Sequence, residues 1–175
     1  MRTCFFLFIL TVIFFACTQE SGTKLIGNKP EKKIRKQALK AVENYAVEHL
    51  KDAKKSVDKD GIITLTGNGI TYSFDPSKIF TGEIDEDSDA DAIAFVLVQR
   101  VPMMEMPEHL ILINNEGNLI VAKVIESDMK ILGIHDGIIT AEIPTHPRTS
   151  PLYDCASCRE IVNYRFRMGE LVRMK

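Results

Sequence analysis

The sequence predicts an α+β fold: one long N-terminal amphipathic helix packed on a mainly antiparallel, hairpin-rich curved sheet of about nine strands, strongly curved or folded into two layers. Three observations carry this expectation. Apolar residues recur at three- and four-residue steps from Glu31 to about Val57. The period then changes to that of strands after Gly61, and glycine-bearing turns separate the short apolar runs that follow.

In the helical segment, Ile34, Ala38, Ala41, Val42, Tyr45, Ala46, Leu50, Ala53 and Val57 fall on one side and charged residues fill the other. Pro30 stands at the first turn, where a missing N–H leaves no hydrogen bond unmade, and Asp58 to Gly61 is expected to end the helix. Ile62 to Thr66 and Ile70 to Phe74 then flank Gly67-Asn68-Gly69, a hairpin signal. Ala92 to Gln99 (AIAFVLVQ) is a continuous apolar run that suits a central strand. His109–Ile113 with Asn118–Ile125, Met129–Ile134 with Ile138–Ile143, and Glu160–Arg167 with Glu170–Met174 give three more hairpins. Between them, VPMMEMP (Val101 to Pro107) reads either as a core-covering loop or as an adaptable apolar lip for a partner. The hairpins recur, but without the strict period of a solenoid or propeller.

The chain opens MRTCFFLFILTVIFFACTQESG. A single basic residue, a mainly apolar run from Phe5 to Ala16 and a small residue before Cys17 make a secretory signal, too short to span a bilayer as a helix of about 20 residues. The end of that run, Phe14-Phe15-Ala16-Cys17, resembles a bacterial lipobox, with Phe14 where such signals favour Leu. The resemblance implies that residues 1–17 are a lipoprotein signal peptide with Cys17 as the lipidated mature N-terminus. Thr18 follows in place of the Asp that retains enteric-type lipoproteins at the inner membrane, which implies outer-membrane anchoring in the cell envelope. Residues 18–30 read as a flexible polar tether and 31–175 as a single α+β domain, within the usual size of one hydrophobic core. The partner implied is a membrane, reached through the N-terminal lipid, together with an envelope protein. The formal charge of −2 argues against nucleic acid, and the lysines and arginines between Lys24 and Lys59 suit the wet face of a helix.

Two cysteines remain in the folded part, Cys155 and Cys158, as Cys-Ala-Ser-Cys. Export to an oxidising compartment makes a local disulfide the default. A thiol–disulfide exchange role is the alternative, although no helix N-terminus is expected at the first cysteine. A zinc half-site lacks a second pair, and Arg159 stands where haem attachment needs His.

TGEIDEDSDADAIAF, Thr81 to Phe95, places six carboxylates within nine residues. Taken as an EF-hand starting at Asp85 it has Ala90 at the glycine position and Val96 at the last ligand, which excludes that motif. Read from Gly82, the string G-E-I-D-E-D-S-D-A-D-A resembles the G-D-x-N-x-D-G-x-x-D-A segment of bacterial (Bacteroidetes-like) envelope lipoproteins and the calcium loops of integrin-type modules. The later I-x-D-G-I-I hairpin, the cysteine pair and the Y-R-F-R-x-G-x-L hairpin are similar to that lipoprotein pattern too. The resemblance implies Glu83, Asp85, Asp87 and Asp91 as calcium ligands, with Glu83 in place of Asp and Ser88 in place of Gly. The other reading is a solvated acidic loop, since like charges about 4 Å apart repel by only about 1 kcal/mol in water.

The histidines His49, His109, His135 and His146 show no ligand spacing, and the chain has no Gly-x-Ser-x-Gly elbow, phosphate loop or dinucleotide fingerprint. No catalytic residue is expected. The functional expectation is a lipid-anchored envelope protein acting as a binding or structural module.

Overall fold

A computed structural model describes residues 29–101, 105–153, 155 and 157–175. The predicted signal peptide, Cys17, the tether as far as residue 28, and Met103 and Met104 lie outside the described residues.

Among the described residues one α-helix, α1 (Lys29–Glu48), is followed by eleven strands, and every strand pair is antiparallel. They are β1 (Lys54–Val57), β2 (Ile63–Gly67), β3 (Ile70–Phe74), β4 (Ile79–Gly82), β5 (Asp91–Arg100) and β6 (Glu105–Asn115). Then come β7 (Asn118–Glu126), β8 (Lys130–His135), β9 (Ile138–Pro144), β10 (Arg159–Arg167) and β11 (Glu170–Arg173). The expected curved or two-layered arrangement of about nine strands is two open sheets, with eleven strands among the described residues. The first has the order β1-β2-β3-β5-β6-β7 with β4 also on β5, and the second is β11-β10-β9-β8.

The two additional strands come from segments without alternation. β1 is KKSV, exposed throughout, and β4 is only IFTG, entered from a one-turn 3-10 helix at Pro76–Lys78. The helix also ends earlier than its apolar spacing implies. After Glu48 the chain tightens through His49 N–H to Ala46 and Leu50 N–H to Val47, both 3.2 Å, and Asp52 turns it with a φ of 53°. The turn is held by tertiary contact. Lys51 N–H reaches Asn68 Oδ1, and a Cβ on Gly67 would lie 2.4 Å from the Lys51 carbonyl.

The layers follow from side-chain parity along the strands. Ala92, Ala94, Val96 and Val98 of β5, with Leu110 and Leu112 of β6, share a core with Ala38, Ala41, Val42 and Ala46 of α1. The alternate residues Ile93 and Ile111 share a second core with Ile131, Ile139, Ala141 and Phe166 of the other sheet. β5 is therefore covered on both faces, which explains its uninterrupted apolar run. Each fully buried Val, Leu or Ile there contributes about 1.5–3 kcal/mol relative to an exposed one.

Candidate metal centre

The acidic loop lies between β4 and β5, two strands that pair with each other at Gly82 and Asp91. Its start is held at the junction of the two sheets. A Cβ on Gly82 would stand 2.7 Å from Ile134 Cγ2 of β8, so only glycine lets the sheets approach so closely. Ile84 then plugs fully into the second core.

Buried Ile84 fixes the chain on one side of Asp91, and β6 fixes it on the other. Asp91 is completely buried, with Oδ2 accepting from Ile84 N–H and Oδ1 from Asn114 N–H, each at 2.8 Å. Between them the loop reverses through two non-glycine residues in the left-handed region, Glu86 (φ 69°) and Ser88 (φ 71°). Ser88 occupies the place of the glycine in the resembling motif and takes the backbone conformation that favours glycine.

This curl divides the six carboxylates. Asp85, Asp87 and Asp91 converge, with one oxygen of each within 4.8 Å of the others. Glu83 stands outside that group, and its Oε1 accepts the Glu86 amide. Glu86 reaches across to the second sheet, 2.9 Å from Arg165 and 3.3 Å from Arg167. Asp89 is exposed, and its amide donates to Asp87 Oδ1 at 2.8 Å. Three of the four residues predicted as ligands are thus brought together.

Burial dominates the electrostatics. It pushes the Asp91 carboxyl up to about 6, against the two backbone amides that favour its ionised form, and Asp85 and Asp87 add repulsion. Burial likewise raises Asp85, followed by repulsion from Asp87. The Oδ1 atom of Asp85 is buried with no hydrogen-bond partner. An all-oxygen carboxylate set with an unsatisfied buried oxygen suits a hard divalent cation, and calcium's flexible six-to-eight coordination tolerates an irregular loop better than magnesium's strict octahedron. Asp85, Asp87 and Asp91 would hold it.

The cysteine pair lies elsewhere, in the loop between β9 and β10. The sulfurs of Cys155 and Cys158 are at bonding distance, with Cα atoms 5.1 Å apart, and neither residue begins a helix. Both the amide and the hydroxyl of Thr145 donate to the Cys158 carbonyl at 2.9 Å. The same loop is tied down by Arg148 and Tyr153, both on the carboxylate of Asp128. Those contacts, Arg148 first, hold Asp128 below the usual carboxylate range.

Two buried polar residues escaped the sequence reading. Glu108 is 2% exposed and accepts from the Tyr45 hydroxyl at 2.9 Å, while His109, 1% exposed, faces the other core. Strand parity was the available signal, because Glu108 is in phase with Leu110 and Leu112, and His109 with Ile111. Among the described residues, no helix is long and apolar enough to cross a membrane. No protein-family model, curated protein or solved structure matches this chain.

Proposed function

We propose that this is a lipid-anchored protein of the bacterial cell envelope, a non-enzymatic binding or structural module stiffened by calcium at Asp85, Asp87 and Asp91. The observation that carries the calcium reading is the convergence of three carboxylates around a buried, unpartnered oxygen. The envelope reading rests on the signal-like N-terminus and Cys17. The domain is one unit, residues 31–175, on a tether that the lipid holds at the outer membrane.

The role of the cation follows from where the loop sits. Ile84 inserts between the sheets and Glu86 pairs with β10, so drawing Asp85 and Asp87 toward Asp91 braces one sheet against the other. With millimolar calcium and a dissociation constant near 10⁻⁴ M, binding stabilises the folded state by about 1.4 kcal/mol. Purified protein should therefore melt roughly 3–5 °C higher in calcium than in chelator. Asp85→Asn combined with Asp87→Asn should erase the difference, and an equal shift in that variant would sink the calcium reading. Cys17→Ser should abolish acyl labelling and membrane partitioning; unchanged partitioning would remove the lipid anchor from the proposal.

The second reading is an envelope thiol–disulfide protein using Cys155 and Cys158, favoured by the proximity of the sulfurs and by their incomplete burial. Alkylation after mild reduction decides it. Rapid modification of Cys155, with turnover of a dithiol substrate, would support exchange chemistry, and an inert pair would leave a structural disulfide.

A further inference from the structure

A second feature lies on the side of the sandwich walled by Phe80, Phe95 and Ile131, and it shares no residue with the acidic loop. A cavity of about 310 Å³ opens between the sheets, at the lower end of the range of about 300–1,000 Å³ usual for ligand sites. Its walls come from both layers: Phe80 of β4, Ile93 and Phe95 of β5, and Ile131 of β8. Met129 and the ring of His109 complete the lining. No carboxylate among the described residues contributes to it.

The charged groups of the lining are both cationic. Lys78 and Lys130 are exposed, and the Lys78 ammonium lies 6.0 Å from the centre of the Phe95 ring. Neither lysine forms an ion pair among the described residues. The nearby acids form no salt bridge with them: Asp75 attracts Lys78 only at longer range, and Asp128, two residues before Lys130, is held by Arg148 and Tyr153. Asp75 accepts from both the amide and the hydroxyl of Ser77, and Glu142, opposite Lys130, pairs with Arg159 at 3.5 Å.

One polar side chain, His109, is buried in the wall. His109 packs edge-on to Phe95 at 5.4 Å, and its Nδ1 has no hydrogen-bond partner. Burial pushes its imidazolium down to about 4, outweighing the pull of the Met129 and Ile125 backbone, so the ring is neutral at physiological pH.

We propose that this cavity binds a small amphiphilic anion, a single alkyl chain ending in a carboxylate, with the chain against Phe80, Ile93, Phe95 and Ile131 and the carboxylate at Lys78 and Lys130. Apolar walls select the chain, and the cationic rim, with the Lys78 ammonium over the Phe95 ring, selects the sign of the head group. The volume limits the occupant to a short or medium chain. The inference is independent of the calcium reading, since a protein with no cation affinity would still carry this cleft.

The test uses the full chain in lipid nanodiscs, with empty nanodiscs as the blank, and follows the side-chain methyls of Ile93, Ile131 and Met129 by NMR during titration with octanoate. Saturable shifts confined to these methyls are expected, with weaker binding of octan-1-ol and none of octylammonium. Lys78→Gln with Lys130→Gln should weaken octanoate roughly fivefold or more and remove its advantage over the alcohol. Both lysines are on the surface, so this variant should keep the parent spectrum. Ile131→Trp, which fills the cavity, should abolish binding. Absence of saturable shifts, equal affinity for octan-1-ol or octylammonium, or unchanged octanoate affinity in the double-lysine variant would each overturn the proposal.

Discussion

Asp91 ends one structure and begins another: its two backbone contacts close the acidic loop, and its own backbone opens β5. The loop sequence marks it as acidic but not as buried, because burial depends on Ile84 and Asn114, which approach from opposite sides. Glu108 and His109 show the same limit. Their parity in the strand was readable, but the sequence does not say that both faces of β6 are covered. Residue-level strain is visible at Met168, which is fully exposed at the first position of a two-residue hairpin loop with φ 51°. Such turns favour Asn or Gly, and a left-handed conformation costs an ordinary residue about 1–2 kcal/mol. Met168→Asn should therefore raise stability by about 0.5–1 kcal/mol in a denaturant titration. A loss of stability would show that Met168 makes a contact that offsets its backbone strain.

Among the elements, the hairpins were the most legible, because a two-residue turn leaves a local chemical mark. Asn68-Gly69, Glu116-Gly117, Asp136-Gly137 and Met168-Gly169 all have positive φ at both positions, as mirror-image turns require. β1 and β4 were not legible. β1 is an edge strand whose lysines discourage further pairing, and Lys55 is held by Glu43 of α1 at 2.6 Å; none of this produces an apolar pattern. β4 is recognised only by its partner, since the first half of β5 pairs with it and the second half with β3. The close approach of β4 to β8 can be tested directly. Gly82→Ala should destabilise the protein by about 1–3 kcal/mol, because the new Cβ meets the branched carbon of Ile134 rather than a flexible tip. Ile134→Ala should then be less damaging in the Gly82→Ala background than alone, and additive effects would show that the two residues do not meet.

For the whole molecule, buried ionisable groups respond oppositely to pH. Asp91 has a folded-state pKa raised to about 6, so its contribution is full below an unfolded value of about 3.9 and is lost as pH climbs through 6. His109 is depressed to about 4, so its contribution is full above about 6.5 and is lost as pH falls toward 4. In chelator the two therefore oppose each other between about pH 4 and 6.5, and the raised Asp85 and Glu108 carboxyls act with Asp91. Asp91→Asn should lower stability overall and also make it fall more steeply as the pH drops through that window. Parallel slopes for variant and parent would show that Asp91 does not titrate there. The sequence by itself determined the antiparallel hairpins, the amphipathic helix and the acidic loop, because each is written in a local period or a turn dipeptide. It also held the features that predict an envelope anchor. Only the tertiary structure decided that the strands divide into two sheets, that the helix stops at Glu48, and that Asp85, Asp87 and Asp91 converge while Glu83 turns to the backbone. Those outcomes depend on contacts between segments far apart in the chain, such as Asn114 with Asp91 and Arg165 with Glu86, and no local pattern records which distant partner will be there.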